Sequence, residues 1–290
     1  MHSVSLFDGA NFKSLNAEKC MDTGLFWENV EHGVPLLQCR LLPVRHGFAR
    51  RSGGVSVIPH LASLNVGGNL GDDPSFVAEN RRRLSRAIGA TPERMVGASQ
   101  IHSDRVETVT EHDAGRCDYS CDGFVTACPD LALLIKTADC APILLCDPKN
   151  GVIAALHAGW RGAVAQIASR GVDAMCALGA QREEIRAAVG PCIHACCYEV
   201  GEDVICAVQT LCGKDAQTVL HAHHGRPANA SDGKMYLDLS ELNRYVLLHA
   251  GLNPAHVAVS EICTCCNPER YFSHRGANGK RGVMGAVIAL

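Results

Sequence analysis

Aromatic residues are scarce in this chain, making up 5% of its 290 positions. A surface that stacks nucleobases needs more of them, and a net charge of −3 offers no basic stripe for a phosphate backbone, so nucleic acid is not an expected partner. Long hydrophobic runs are missing as well. The most apolar stretch, Leu131 to Cys146, is interrupted by Lys136 and Asp139 and is too short to cross a bilayer, so no membrane association is expected. The first residues, Met-His-Ser-Val-Ser-Leu-Phe-Asp, lack the basic start and apolar stretch of an export signal, which predicts a cytoplasmic protein. No repeat at solenoid periods and no low-complexity tract is present. Apolar residues at 47% and charged residues at 20% describe an ordinary globular chain, long enough for a sizeable core.

Cysteine is present in excess, at sixteen residues. A chain of this length does not depend on disulfides for its core, and without an export signal its thiols are expected to be reduced. Most are read as small buried hydrophobes.

The hydrophobic pattern sets the organisation. Residues 1–45 are weakly patterned and read as an irregular N-terminal extension, leading into one domain over 46–290. A Gly-rich region from Val66 to Pro74 does not match the spacing of a nucleotide phosphate loop. Residues 74–89 read as a helix opened by Pro74 and stopped by Gly89, with Arg81, Arg82 and Arg83 on an exposed face. Leu131–Thr137, Pro142–Cys146 and Gly151–His157 read as strands, the last two joined by an Asp-Pro-Lys-Asn-Gly turn. Val164, Ile167, Gly171, Met175 and Leu178 give one helical face over 162–178. Further strands are expected at Ile185–Val189, Val257–Ser260 and Val283–Leu290, further helices at Val204–Leu211 and Leu239–Ala250, and a polar loop from His221 to Asp232. The irregular mixture, with hairpins, predicts an α+β fold: a single compact domain with mixed β-sheets flanked by helices.

Three short segments place a His or Cys at a strand end or turn: Gln100-Ile101-His102, Thr137-Ala138-Asp139-Cys140 and His157-Ala158-Gly159-Trp160-Arg161-Gly162. The separations are unlike the close pairs of a zinc finger. The residue types still suit a metal, because two imidazoles and one thiolate leave the fourth zinc position open, as in catalytic sites. Zinc so held lowers the pKa of water towards ~7. The same residues offer a metal-free alternative, with Cys140 as thiolate nucleophile and His157 as its base. Asp139 is a poor choice to orient that histidine, since neighbours on a strand point to opposite faces. Cys263-Thr264-Cys265-Cys266 is read as packed core cysteines because no second cluster accompanies it, and Cys196-Cys197 likewise because adjacent cysteines rarely ligate one ion. His221, His223 and His224 are read as part of a solvated loop.

The chain resembles the YfiH family, also called the multicopper polyphenol oxidase or laccase-domain family, from about His46 to the C-terminus. The resemblance rests on the three segments above. It also rests on His46-Gly47-Phe48, Arg51-Ser52-Gly53-Gly54-Val55-Ser56, Ser63-Leu64-Asn65, Gly71-Asp72-Asp73-Pro74, Glu79-Asn80-Arg81 and Cys121-Asp122-Gly123. Gly190-Pro191-Cys192-Ile193, Cys196-Cys197-Tyr198-Glu199-Val200, Cys263-Thr264 and Phe272-Ser273-His274-Arg275 complete it. It implies one zinc ion on His102, Cys140 and His157, with catalysis at the same residues. It further implies phosphorolysis of adenosine, inosine and methylthioadenosine, together with adenosine deamination. A purine nucleoside and phosphate are the expected partners, in a monomer or weak oligomer. Copper has been attributed to the family, but several coppers need paired histidines, and the chain offers only His221-Ala222-His223 outside the family motifs. Arginine suits phosphate, so Arg51 beside Gly53-Gly54 and Arg161 four residues after His157 are the expected phosphate contacts, with Asn65 as a substrate contact. Two departures are visible. Ser103 stands where many relatives have Gly, and Gly282-Val283-Met284-Gly285 replaces Gly-Arg-Met-Ala, so that either Arg281 supplies that charge from a neighbouring position or the charge is absent. Other implied readings are a cytosolic peptidoglycan-precursor amidase using Cys140 and His157 or the zinc site, and a zinc-bound regulator without catalysis.

Overall fold

The computed structural model describes residues 24–222 and 234–290. In chain order its elements begin with β1 (Phe26–Glu31), β2 (Val34–Cys39), β3 (Arg45–Ala49), α1 (Pro74–Ala87), β4 (Met95–Val96), β5 (Val106–Thr108), β6 (Gly123–Thr126) and β7 (Ala132–Thr137). They continue with β8 (Ala141–Asp147), β9 (Val152–Ala158), α2 (Trp160–Val164), α3 (Ile167–Ala177), β10 (Arg186–Val189), β11 (Glu199–Val200) and α4 (Glu202–Cys212). The last are β12 (Leu220–His221), β13 (Met235–Leu237), α5 (Leu239–His249), β14 (Val257–Val259) and β15 (Met284–Ala289). One six-stranded sheet has the order β1-β2-β3-β15-β7-β4, a second has the order β14-β10-β8-β9-β6-β5, and β11-β13-β12 form a small third sheet.

Period-two patterning builds the layers. In β8, Ile143 and Leu145 face the helices while Leu144 and Cys146 face the other large sheet; in β9, Ala154 and Leu156 face the helices, and Ile153 and Ala155 the other sheet. The first sheet repeats the division: Leu133, Ile135 and Ile288 pack between the sheets, whereas Leu134 and Val287 pack under α1 with Leu84. The result is four layers: α1, sheet one, sheet two, and α2 to α5. This is the α+β class with mixed sheets that the pattern predicts.

Local chemistry explains the boundaries. Asp73 caps α1 by accepting from the Ser75 amide at 2.8 Å, and Pro74 opens its first turn. Asp238 caps α5 by accepting from the amides of Ser240 and Glu241. In the β8–β9 turn, Asp147 accepts from the amides of Lys149 and Asn150, and Gly151 takes a positive φ.

Two expectations are corrected. The helix over 162–178 is two helices, because Gln166 adopts the left-handed conformation at φ 63° and breaks the run after α2. Residues 26–39 are not irregular: β1 and β2 form an antiparallel hairpin turned at His32-Gly33, and β2 joins sheet one through β3. Adjacent apolar pairs, Phe26-Trp27 and Leu36-Leu37, blur the alternation that would have marked these strands. Of the expected polar loop, His221 ends β12, and His223 and His224 lie outside the described residues.

Candidate functional site

Strand β9 lies between β8 and β6, and this places the site. Its His157 is opposite Pro142 of β8, so Cys140, just before β8, lies beside it. On the other edge Leu156 is opposite Gly123, and the His157 amide donates to the Asp122 carbonyl at 2.7 Å. Residues 100–104, between β4 and β5, bring in His102. The ligating atoms of His102, Cys140 and His157 all fall within 4.8 Å of one another. The two imidazoles meet edge to face, with centroids 4.9 Å apart.

Asp122 organises this group. Its fully buried carboxylate accepts from His157 Nδ1 at 2.9 Å and from the amides of Ile101, His102 and Ser103 at 3.2, 3.0 and 2.7 Å. The Ser103 hydroxyl adds a donor at 2.8 Å. These bonds hold His102 in a left-handed conformation, φ 59°, which a non-glycine residue adopts only under constraint. Asp139 is held likewise at φ 91°: its carboxylate accepts from Thr264 Oγ and the Arg275 amide, both at 2.6 Å. Asp139 thus fixes the backbone before Cys140, and Asp122 is the residue that orients His157. Gly159 is required by space, because a Cβ there would lie 2.9 Å from Cys140 Sγ and 3.3 Å from His102.

The donor set fits a metal ion. With Nδ1 of His157 bonded to Asp122, Nε2 is the nitrogen left to ligate, the usual carboxylate–histidine arrangement. Burial pushes the Cys140 thiol up, but the charge of His157 and the hydrogen bond from His102 outweigh it and bring the thiol to about 6. For His157, burial opposes the charged form, while Cys140 and Asp122 favour it and raise the pKa to about 9. Asp122 sits at about 2, because its bonds to His157 and Ser103 overcome burial. A thiolate and two imidazoles at one point are ligands for zinc-like ions.

The three residues open on a cavity of about 770 Å³. Gly67, Gly68, Trp160 and Tyr198 line it, and Arg81, Lys136, Arg161, Arg275 and Arg281 bring positive charge to it. Burial, and then the charge of Arg81, lower the Lys136 ammonium from its usual range. Gln100 fixes that strand end by donating to the Lys136 carbonyl and accepting from its amide, at 2.7 and 2.8 Å.

The structure places Arg161 on the cavity wall, with its guanidinium 4.2 Å from the Trp160 ring centroid. It does not bring Arg51 there. The Arg51 guanidinium donates to the carbonyls of Ala62 and Pro268 and lies over Phe272. Asn65 is fully buried behind the wall, where it bonds Gly67, Asp72 and Val283 and so shapes the Gly67-Gly68 edge. Arg81, expected on an exposed helix face, turns to the cavity by donating from Nε to the Val66 carbonyl; Arg82 and Arg83 pair with Glu79. Asp122, Lys136 and Arg275 join the site without any signal of their own in the sequence beyond lying in or beside the motifs Cys121-Asp122-Gly123, Thr137-Ala138-Asp139-Cys140 and Phe272-Ser273-His274-Arg275.

A family model described as multi-copper polyphenol oxidoreductase laccase matches residues 45–290. A curated relative from Deinococcus radiodurans, named purine nucleoside phosphorylase, is 41% identical over 258 residues, covering 89% of this chain and 94% of its own. The crystal structure of Bacillus licheniformis YfiH superposes with a TM-score of 0.80 at 32% identity, covering 89% of this chain and 97% of that one. YlmD from Geobacillus stearothermophilus superposes with a TM-score of 0.79 at 33% identity, covering 91% and 98%.

Proposed function

The chain belongs to the multi-copper polyphenol oxidoreductase laccase family, and on that premise we propose that it is a zinc-dependent purine nucleoside phosphorylase acting on adenosine, inosine and methylthioadenosine, with adenosine deaminase activity. The name of the Deinococcus relative supports the reaction class. The observation that carries the reading is that the His102–Cys140–His157 group shares one cavity with five cationic side chains. Phosphorolysis needs bound phosphate, which the cationic side chains can hold. Phosphate must be held beside the ribose anomeric carbon while its oxygen replaces the base, and the departing purine must receive a proton.

His102, Cys140 and His157 would hold zinc, which supplies Lewis acidity and activates water at neutral pH. Arg161, Arg81 and Lys136 provide the charge and donors to bind and orient phosphate. Gly68, with open space where a Cβ would stand, lets the substrate approach the backbone closely. Trp160 and Tyr198 supply aromatic wall to the same cavity, with Arg161 and Arg275 lying over their rings.

The test is a paired assay: bound metal by mass spectrometry, and adenosine turnover by chromatography with and without phosphate. Adenine that appears only with phosphate establishes phosphorolysis, and inosine establishes deamination. His102→Ala and Cys140→Ala are each expected to abolish both the zinc of this site and turnover. Full activity in either variant overturns the metal reading, and a zinc-loaded protein without product leaves the regulatory reading.

A second reading has its own observation. Without metal, Cys140, His157 and Asp122 form a thiol–imidazole–carboxylate series with the thiol brought to about 6. That arrangement favours the amidase alternative, in which hydrolysis of a peptidoglycan precursor survives zinc removal and is lost on thiol alkylation.

A further inference from the structure

Four cysteines that are far apart in sequence converge outside the cavity. Cys196 and Cys197 lie in the turn after β10, and Cys263 and Cys266 in the turn after β14. Their sulfurs all fall within 4.8 Å of one another, and Cys266 Sγ is 3.4 Å from both Cys196 Sγ and Cys197 Sγ. A disulfide would bring two sulfurs to about 2.05 Å and leave the others apart. Four sulfurs around zinc, at Zn–S about 2.3 Å, sit at the corners of a tetrahedron with edges of about 3.8 Å. The two sulfur–sulfur distances at Cys266, 3.4 Å each, lie a few tenths of an ångström inside that edge. Each turn supplies a pair, and Cys263-x-x-Cys266 has the spacing of a zinc-ribbon half-site.

The backbone holds these turns together independently of the sulfurs. The Thr264 amide donates to the Cys192 carbonyl at 2.9 Å, and the amides of Cys197 and Tyr198 donate to the His194 carbonyl at 3.0 Å. Asn267 donates to the Cys263 carbonyl at 2.8 Å.

We propose that Cys196, Cys197, Cys263 and Cys266 bind one zinc ion as a closed, four-thiolate structural site, separate from His102, Cys140 and His157. Loading releases the four thiol protons and leaves no open position, so this ion has no catalytic vacancy. Its role follows from what the two turns carry. Ile193 donates through its amide to the Asp139 carbonyl, and Thr264 bonds the Asp139 carboxylate. Arg275 bonds the carbonyls of Cys197 and Glu199. The ion staples the cavity wall that fixes Asp139 and presents Tyr198 and Arg275.

The test reads metal and not turnover, so it stands apart from the nucleoside reading. Full-length protein purified under reducing conditions is expected to carry two zinc ions per chain, and the His102→Ala/Cys140→Ala variant one. Cobalt added to metal-depleted double variant is expected to give the intense visible bands and sulfur-to-metal charge transfer of a tetrahedral thiolate site. Adding Cys266→Ser, at an exposed position, is expected to abolish them. A double variant with no zinc and no such spectrum overturns the proposal. So does a triple variant that keeps the spectrum, or a native disulfide joining Cys266 to Cys196 or Cys197.

Discussion

One carboxylate oxygen of Asp122 accepts from both His157 Nδ1, at 2.9 Å, and the backbone amide of His102, at 3.0 Å. Two of the three candidate ligands are therefore positioned by a single buried group. Asp122→Asn keeps the size but replaces an acceptor with a donor on one side. Metal affinity of the His102–Cys140–His157 site is expected to fall about 10- to 100-fold. Competition with a chromogenic chelator measures it; unchanged affinity would deny Asp122 this positioning role.

Gly159→Ala tests the same site by bulk. Its Cβ would lie 2.9 Å from Cys140 Sγ. The substitution is expected to remove metal from this site while circular dichroism stays native, because Gly159, the N-cap of α2, has an extended conformation (φ −71°, ψ 175°) that alanine also adopts.

The cationic side of the cavity is tested by phosphate dependence. Arg161→Ala is expected to weaken phosphorolysis more than deamination, and Lys136→Met to raise the KM for phosphate about 10- to 100-fold, the worth of one charge-assisted hydrogen bond. Equal losses in both reactions would argue against a phosphate role for Arg161.

Arg51→Ala gives the opposite pattern. Its donors serve the carbonyls of Ala62 and Pro268 and it covers Phe272, so it ties the segment after β3 to the chain before β15. Catalytic constants are expected to stay within about twofold and the melting temperature to fall by several degrees, at ~2–4 °C per kcal/mol lost. Calorimetry beside a standard assay distinguishes the two effects.

The Cys140 thiol sits near 6, below its usual value, so in metal-depleted protein the thiolate persists at neutral pH and is lost as pH falls through about 6. Iodoacetamide labelling of Cys140, followed by peptide mass spectrometry, is expected to show its midpoint there. A midpoint near 9 would mean that the imidazoles do not stabilise the thiolate.

The candidate trio stood out in the chain through the family resemblance, because each member sits inside a compact motif on which that resemblance rests, and period-two and helical spacing gave the central strands and most helices. The rest of the site could not be read this way. Asp122 reaches His157 only through the β6–β9 register, and Arg81 faces the cavity only because the Val66 carbonyl turns its guanidinium inward. Proximity to Gly53-Gly54 in sequence favoured Arg51, whose side chain the fold commits elsewhere. The cysteine pairs looked like packing because what unites them is the approach of two loops, made by the parallel pairing of β10 with β14.

The same strand pairing has a consequence for folding fidelity. His157 shares a face of β9 with Ile153 and Ala155, and Leu156 shares the opposite face with Ala154. A slip of one residue along β8 and β6 would exchange those faces, sending the imidazole into the helix-side core and a leucine into the cavity. If His157 ligates a metal as proposed, a chain that takes it up has both edges of that strand in register, so occupancy would separate correctly threaded molecules from misaligned ones.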